Sequence, residues 1–190
     1  MKYVAKFLKV MIRGVLKPMS FIPALMVMYM IFQFSSANGV QSSATSGGAC
    51  KKIVEITDSE FQLGLSWDKK QYYAEKLEYP VRKLAHFSEY ALLAATVALP
   101  LYVYGMRGIW LMITVGLFCV GFACTDEYHQ SFVGGRSPSK KDVMIDSAGA
   151  FCGIIFTRIT GFIGRKTIFR PLSNEKQTKQ RKNKQNRGEW

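Results

Sequence analysis

The chain has 190 residues, and its 26 Lys and Arg against 13 Asp and Glu give a formal net charge of +13. Mean hydropathy sits just above zero. That average mixes nearly pure apolar windows with a nearly pure polar tail, which excludes an evenly mixed soluble domain. At this length one domain is the natural count. The four cysteines, Cys50, Cys119, Cys124 and Cys152, show neither a CxxC pair nor a zinc-ligand spacing.

Residues 1–18 carry Lys2, Lys6, Lys9, Arg13 and Lys17 without an acid. They alternate bases with apolar residues, the pattern of an amphipathic segment lying in the membrane surface. The first apolar window, Met19 to Phe34, has Gln33 as its only strongly polar side chain. The Ser35-Ser36-Ala37 after it resembles a signal-peptide cleavage site, but the long basic region before it and the length of the apolar run favour an uncleaved anchor. The loop over 36–83 opens with NGVQSSATSGG, which reads as flexible and polar. Further on, Val54, Phe61, Leu65, Tyr72, Tyr73, Leu77 and Tyr79 predict short helices with an amphipathic face, and Trp67 and the tyrosines suit a headgroup belt.

Three more apolar windows follow, at Leu84 to Met106, Gly108 to Thr125 and Val143 to Ile163. A spanning helix needs about 20 apolar residues and satisfies its own backbone hydrogen bonds, as lipid cannot. The fold class expected is all-α, a polytopic membrane bundle of four transmembrane helices over 19–163, followed by a basic disordered tail over 164–190. Both basic ends and the Arg107 turn belong in the cytoplasm by the positive-inside rule, so the 36–83 loop and the DEYHQ segment face outward. The tail has no aromatic interleaving and no folded nucleic-acid module, so its charge points to anionic lipid and not to nucleic acid. There is no internal repeat, no Gly-rich phosphate loop and no cofactor motif.

The polar residues in or beside the spans fall on shared helix faces. Lys83, His86 and Tyr90 lie at i, i+3, i+7 on the second span. Asp126 and Gln130 share a face if the third helix continues through DEYHQ. Asp142, Asp146, Gly149 and Gly153 lie at i, i+4, i+7, i+11 on the fourth. With the topology above, all three sets meet at the outer end of the bundle. An ionisable group in a span costs a few kcal/mol and so faces a partner or water. The Gly149-xxx-Gly153 pattern lets helices approach closely and brings Asp146 toward His86 or Lys83. Three readings of the cluster stay open. It is a salt-bridged latch of Lys83, Asp126, Glu127, Arg136 and Asp142. It is a binding site in which Arg136 and Lys83 hold an anionic group. Or it is a hydrolytic site with Asp126 or Glu127 and His86 as acid and base. A metal site from His86, Asp126, Glu127 and His129 is disfavoured, because DEYH lacks a zinc-hydrolase spacing.

At these residues the chain resembles the VanZ-like family of small bacterial membrane proteins. The likeness rests on IFQFSSANG at the end of the first span, on Lys83, His86, Phe87 and Tyr90 as KxxHFxxY, and on Asp126, Glu127, Gln130, Phe132, Arg136, Asp142, Asp146, Gly149 and Gly153 as DExxQxFxxxRxxxxxDxxxDxxGxxxG. It departs from that pattern at Asp146, where family members often have Asn, and at Gly134 and Gly135, where a Pro is common nearby. The resemblance implies a multi-pass protein of a Gram-positive-type cell membrane with an outward polar site near cell-wall precursors. Its founding member is linked to low-level resistance to teicoplanin, a lipid-tailed glycopeptide. The expected function is handling of a lipid-linked or amphiphilic cell-envelope ligand by Asp126, Glu127, His86, Lys83, Tyr90, Gln130, Arg136, Asp142 and Asp146, without a cofactor. The alternatives are a membrane hydrolase or transferase on a lipid-linked substrate and a noncatalytic partner subunit.

Overall fold

The computed structural model describes residues 17–167, with side chains up to residue 160. Five helices are described: α1 Ile22–Ser36, α2 Gly39–Phe61, α3 Trp67–Val103, α4 Gly108–Gln130 and α5 Lys140–Thr167. Four stretches, Lys17–Ser36, Trp67–Val103, Gly108–Gln130 and Lys140–Thr160, are long and apolar enough to cross a membrane. Residues from Ile155 onward belong to a second compact unit, and the bundle consists of residues up to Ile154. The amphipathic segment expected over 1–18 falls outside the described residues except for Lys17 and Pro18. The tail expected over 164–190 falls outside them beyond Thr167.

Each spanning helix buries one stripe of side chains. Ala24, Val27 and Ile31 come from α1, and Leu93, Ala94, Val97 and Ala98 from α3. Val115, Cys119 and Ala123 come from α4, and Ala150 and Ile154 from α5; together they form one core. The outward faces are apolar as well, with Leu25, Leu92, Trp110 and Leu117 all at least half exposed. Lipid gives no hydrophobic reward for pairing such helices, so close contact must supply it, and small residues allow the contact. A β-carbon on Gly149 would overlap the Phe87 carbonyl oxygen, and one on Gly153 would overlap the Ala91 carbonyl oxygen. The two glycines therefore set α5 directly on the backbone of α3.

Two expectations change. The NGVQSSATSGG run is not a flexible loop but the first half of α2. Asn38 caps it, its side chain accepting from the Gln41 N–H at 2.8 Å. Ser and Gly are poor helix formers, and tertiary packing overrides them here. The small side chains let α2 lie against α3 in an antiparallel hairpin. Cys50, Val54 and Ala74 form its core, with Leu65, Leu77 and Val81 packed around them. Asp58 pairs with Lys70 at 2.6 Å near the tip. There Gln62 takes the left-handed conformation (φ 49°) to end α2.

The second change is that the expected short helices divide: Val54 and Phe61 lie in α2, Leu65 lies between the helices, and Tyr72, Tyr73, Leu77 and Tyr79 lie in one helix with the second span. At about 1.5 Å per residue, the 37 residues of α3 run about 55 Å, nearly twice the hydrocarbon thickness. Its first half belongs to the hairpin and its second half to the bundle. Trp67, Tyr72, Tyr73 and Tyr79 are all exposed on the hairpin half.

Candidate functional site

The polar residues singled out above are continuations of the buried stripes. On α4 the stripe Val115, Cys119, Ala123 runs on into Asp126, Glu127 and Gln130, all buried. On α5, Asp146 stands one turn before Ala150 and is 2 % exposed. On α3, Tyr90 is fully buried and His86 stands one turn before it. The helix does continue through DEYHQ, so the three faces meet at the end of the bundle that carries the α2–α3 hairpin.

Several of these groups are tied up in closing that end. Lys83 Nζ pairs with Asp142 Oδ1 at 2.6 Å, joining α3 to α5. Gln130 Nε2 donates to Asp126 Oδ2 at 3.0 Å. Glu127 accepts from the Ser139 backbone N–H, which places a carboxylate at the N-terminal end of α5, where the helix dipole favours it. Arg136 Nε donates to the Ala37 carbonyl at 3.0 Å, and its Nη2 to the Phe34 carbonyl at 2.9 Å. It thereby satisfies carbonyls left over at the C-terminus of α1. The Gly39 N–H donates to the Gly134 carbonyl at 3.1 Å. Gly135 has φ 75°, a conformation that suits glycine. The α4–α5 loop is thus laced to the α1–α2 joint. Burial holds the Arg136 guanidinium below its ordinary pKa; Asp126 pulls it up and Arg82 pushes it down.

His86 faces two ways. Its Nδ1 lies 3.7 Å from Asp146 Oδ1, too long for a hydrogen bond. It also lines a cavity of about 260 Å³ between α1, the hairpin and the Arg136 loop. Ser35, Ser42, Thr45, Ser46, Arg82, Glu89 and Arg136 supply its other polar walls, and Ile31, Phe34 and Val81 part of its apolar wall. Of the residues singled out in the sequence, only His86 and Arg136 reach this space. Lys83, Tyr90, Asp126, Glu127, Gln130, Asp142 and Asp146 do not line it. Arg82, Glu89 and the hydroxyls were not readable as site residues, because most of the hydroxyls depend on α2 being a helix.

Five buried polar atoms around the site have no hydrogen-bond partner: Ser35 Oγ, Arg82 Nε, His86 Nδ1, Tyr90 OH and Asp146 Oδ1. Buried polar groups are nearly always satisfied, so this cluster is where a bound polar group or water would be held most strongly. Among the described residues no group of three His, Cys, Asp or Glu is placed to hold a metal ion.

A family model described as VanZ/LLP1 matches residues 20–161. No curated protein and no solved structure matches the chain.

Proposed function

The chain belongs to the VanZ/LLP1 family, and from that premise we propose that it is a multi-pass protein of the cell membrane that binds an amphiphilic or lipid-linked cell-envelope ligand. The α2–α3 hairpin faces outward and the basic ends face the cytoplasm. One observation carries the reading: the same cavity is lined by the polar residues Arg82, Arg136, His86 and Glu89 and by the apolar residues Ile31, Phe34 and Val81. A ligand with a charged head and an apolar tail matches this mixed lining. Lys83 acts behind this site by fixing Asp142, and Glu127 by holding the start of α5; neither lines the cavity.

The test uses a host lacking its own copy, with wild type or His86→Gln expressed at matched membrane levels. Inhibitory concentrations of teicoplanin and of vancomycin, which has no lipid tail, are compared. Selective protection against the lipid-tailed drug, lost in the variant, supports an amphiphile site that contributes to resistance. Unchanged susceptibility to both removes the resistance reading.

A second reading, a hydrolase or transferase acting on such a ligand, is favoured by the carboxylate of Asp146 standing behind an imidazole that opens on the cavity. An acid behind a His is the arrangement that orients a general base. In this reading His86 is the base, and Asp126 and Glu127, which do not reach the cavity, are not. Conversion of a lipid-linked substrate that disappears in His86→Gln while ligand binding persists separates it from the first.

A further inference from the structure

Arg82 from α3 and Arg136 from the α4–α5 loop line the same cavity, and Arg82 makes charge on Arg136 harder to hold. Two cations facing one partly dehydrated space are unfavourable unless an anion lies between them. Arg82 is ion-paired with Glu78, which does not line the cavity, whereas Arg136 makes no ion pair among the described residues. Arg136 spends two nitrogens on backbone carbonyls, which carry no net charge. Arg82 Nη2 donates to Glu78 Oε1 at 2.6 Å and to Ser43 Oγ at 2.8 Å. Its Nε is buried without a partner.

A second, independent observation points the same way. Ser35 is 2 % exposed, lines the cavity, and its Oγ has no hydrogen-bond partner. A hydroxyl that dry is unfavourable unless something else bonds it. Glu89 is the one carboxylate among the lining residues. It is the place for a donor on the ligand, a hydroxyl or an amine next to the anionic group. At about 260 Å³ the space falls just below the roughly 300–1,000 Å³ of whole drug-sized sites. It fits a headgroup, with the tail left outside along the apolar bundle.

We propose that this cavity is a phosphoryl-headgroup site, in which Arg82 and Arg136 clamp a phosphate between them, Ser35 donates to it, and Glu89 accepts from a neighbouring hydroxyl or amine. A phosphate monoester carries about −1.5 to −2 charges and three strong acceptor oxygens, enough to bond both guanidinium groups and the Ser35 hydroxyl. Planar guanidinium forks match the oxygen geometry of a phosphate. The inference rests on the amphiphile reading above and narrows it to phosphorylated ligands. Lys83 is not part of the clamp, because Asp142 holds it.

The test is native mass spectrometry of the full chain in uncharged maltoside micelles. It is titrated separately with phosphatidic acid, with diacylglycerol of the same acyl chains, and with glycerol phosphate. Wild type is expected to retain phosphatidic acid at least about tenfold more strongly than diacylglycerol, the scale of one or two charge-assisted hydrogen bonds. Arg82→Gln is expected to remove most of that preference, and Arg82→Lys part of it. Ser35→Ala, which breaks no hydrogen bond among the described residues, is expected to weaken it several-fold and guards against a folding defect in the arginine variants. Glycerol phosphate binding as strongly as phosphatidic acid supports the clamp and makes a soluble phosphate ester its ligand. Equal retention of phosphatidic acid and diacylglycerol overturns the clamp but leaves an amphiphile site. Retention of none of the three overturns both. A phosphate preference untouched by Arg82→Gln and Ser35→Ala places the phosphate elsewhere and overturns the assignment.

Discussion

Gly149 lies against Phe87 so closely that a β-carbon on the glycine would overlap the Phe87 carbonyl oxygen. Backbone cannot swing aside as a side chain can. Gly149→Ala is therefore expected to cost about 1–3 kcal/mol or more through overpacking, read as a lower thermal midpoint in micelles, and Gly153→Ala likewise against Ala91. Gly121→Ala is the contrast. It sits inside α4 with nothing within 4 Å of the added carbon, and gains up to about 1 kcal/mol of helix propensity. If all three behave alike, the close α3–α5 contact is wrong.

Lys83 and Asp142 are each about one-fifth exposed and 2.6 Å apart. That places the pair between surface pairs, worth at most about 1 kcal/mol, and buried ones, whose breaking costs about 3–5 kcal/mol. Lys83→Asp and Asp142→Lys are each expected to destabilise by about 1–3 kcal/mol, and the exchanged double variant to recover most of the loss. Ligand retention should follow stability in this series. A double variant that is stable yet binds nothing would return Lys83 to the ligand.

Arg136→Lys keeps the charge but cannot reach both the Ala37 and Phe34 carbonyls with one fork. The expected loss is about 1 kcal/mol. Hydrogen exchange should quicken in the last turn of α1 and at Gly39, whose N–H bonds Gly134, and stay unchanged in the hairpin tip.

Asp58 fixes that tip. Its Oδ1 accepts from the Leu65 N–H at 2.9 Å, and Lys70 lies 2.6 Å from its other oxygen. The Leu65 hydrogen bond first, and then Lys70, hold its pKa below the ordinary 3.8. A lowered folded pKa means a contribution that is full above the unfolded value and fades as pH falls through the folded one. Protection of residues 62–66 from exchange should thus hold at neutral pH and decline below about pH 4. In Asp58→Asn this acid-dependent decline should vanish.

The proposed orientation is checked by labelling. Lys69 is exposed on the hairpin and native Cys50 is fully buried. With the exposed Cys124 and Cys152 changed to Ser, Lys69→Cys should react with a membrane-impermeant maleimide in intact cells. Reaction only after the cells are opened reverses the topology.

The three helix faces were legible because a period of 3.6 residues carries over from apolar to polar positions: the spacing that puts Ala123 in the core puts Asp126 and Gln130 beneath it. The four apolar windows were legible from composition, with ends that shifted where helices continue into polar sequence. The hairpin was hidden, because NGVQSSATSGG has the composition of a loop and becomes helical only through contact with α3. The cavity was hidden with it, since Ser42, Thr45 and Ser46 face Arg82 only once α2 exists. The partners of Arg136 and Glu127 are backbone groups, and a backbone carbonyl or N–H has no signature in the sequence of side chains.

The unbroken course of α3 makes it a lever. One arm stands in the hairpin, the other in the bundle, and the contacts of Gly149 and Gly153 at Phe87 and Ala91 act as the fulcrum. Pro80 stands inside the helix between the two arms, where proline removes a backbone hydrogen bond and lets a helix bend. A load applied near Trp67 is therefore taken up first at this joint. Arg82 and His86 ride just past it, beside the fulcrum, so the walls of the cavity hold their spacing while the hairpin tip moves.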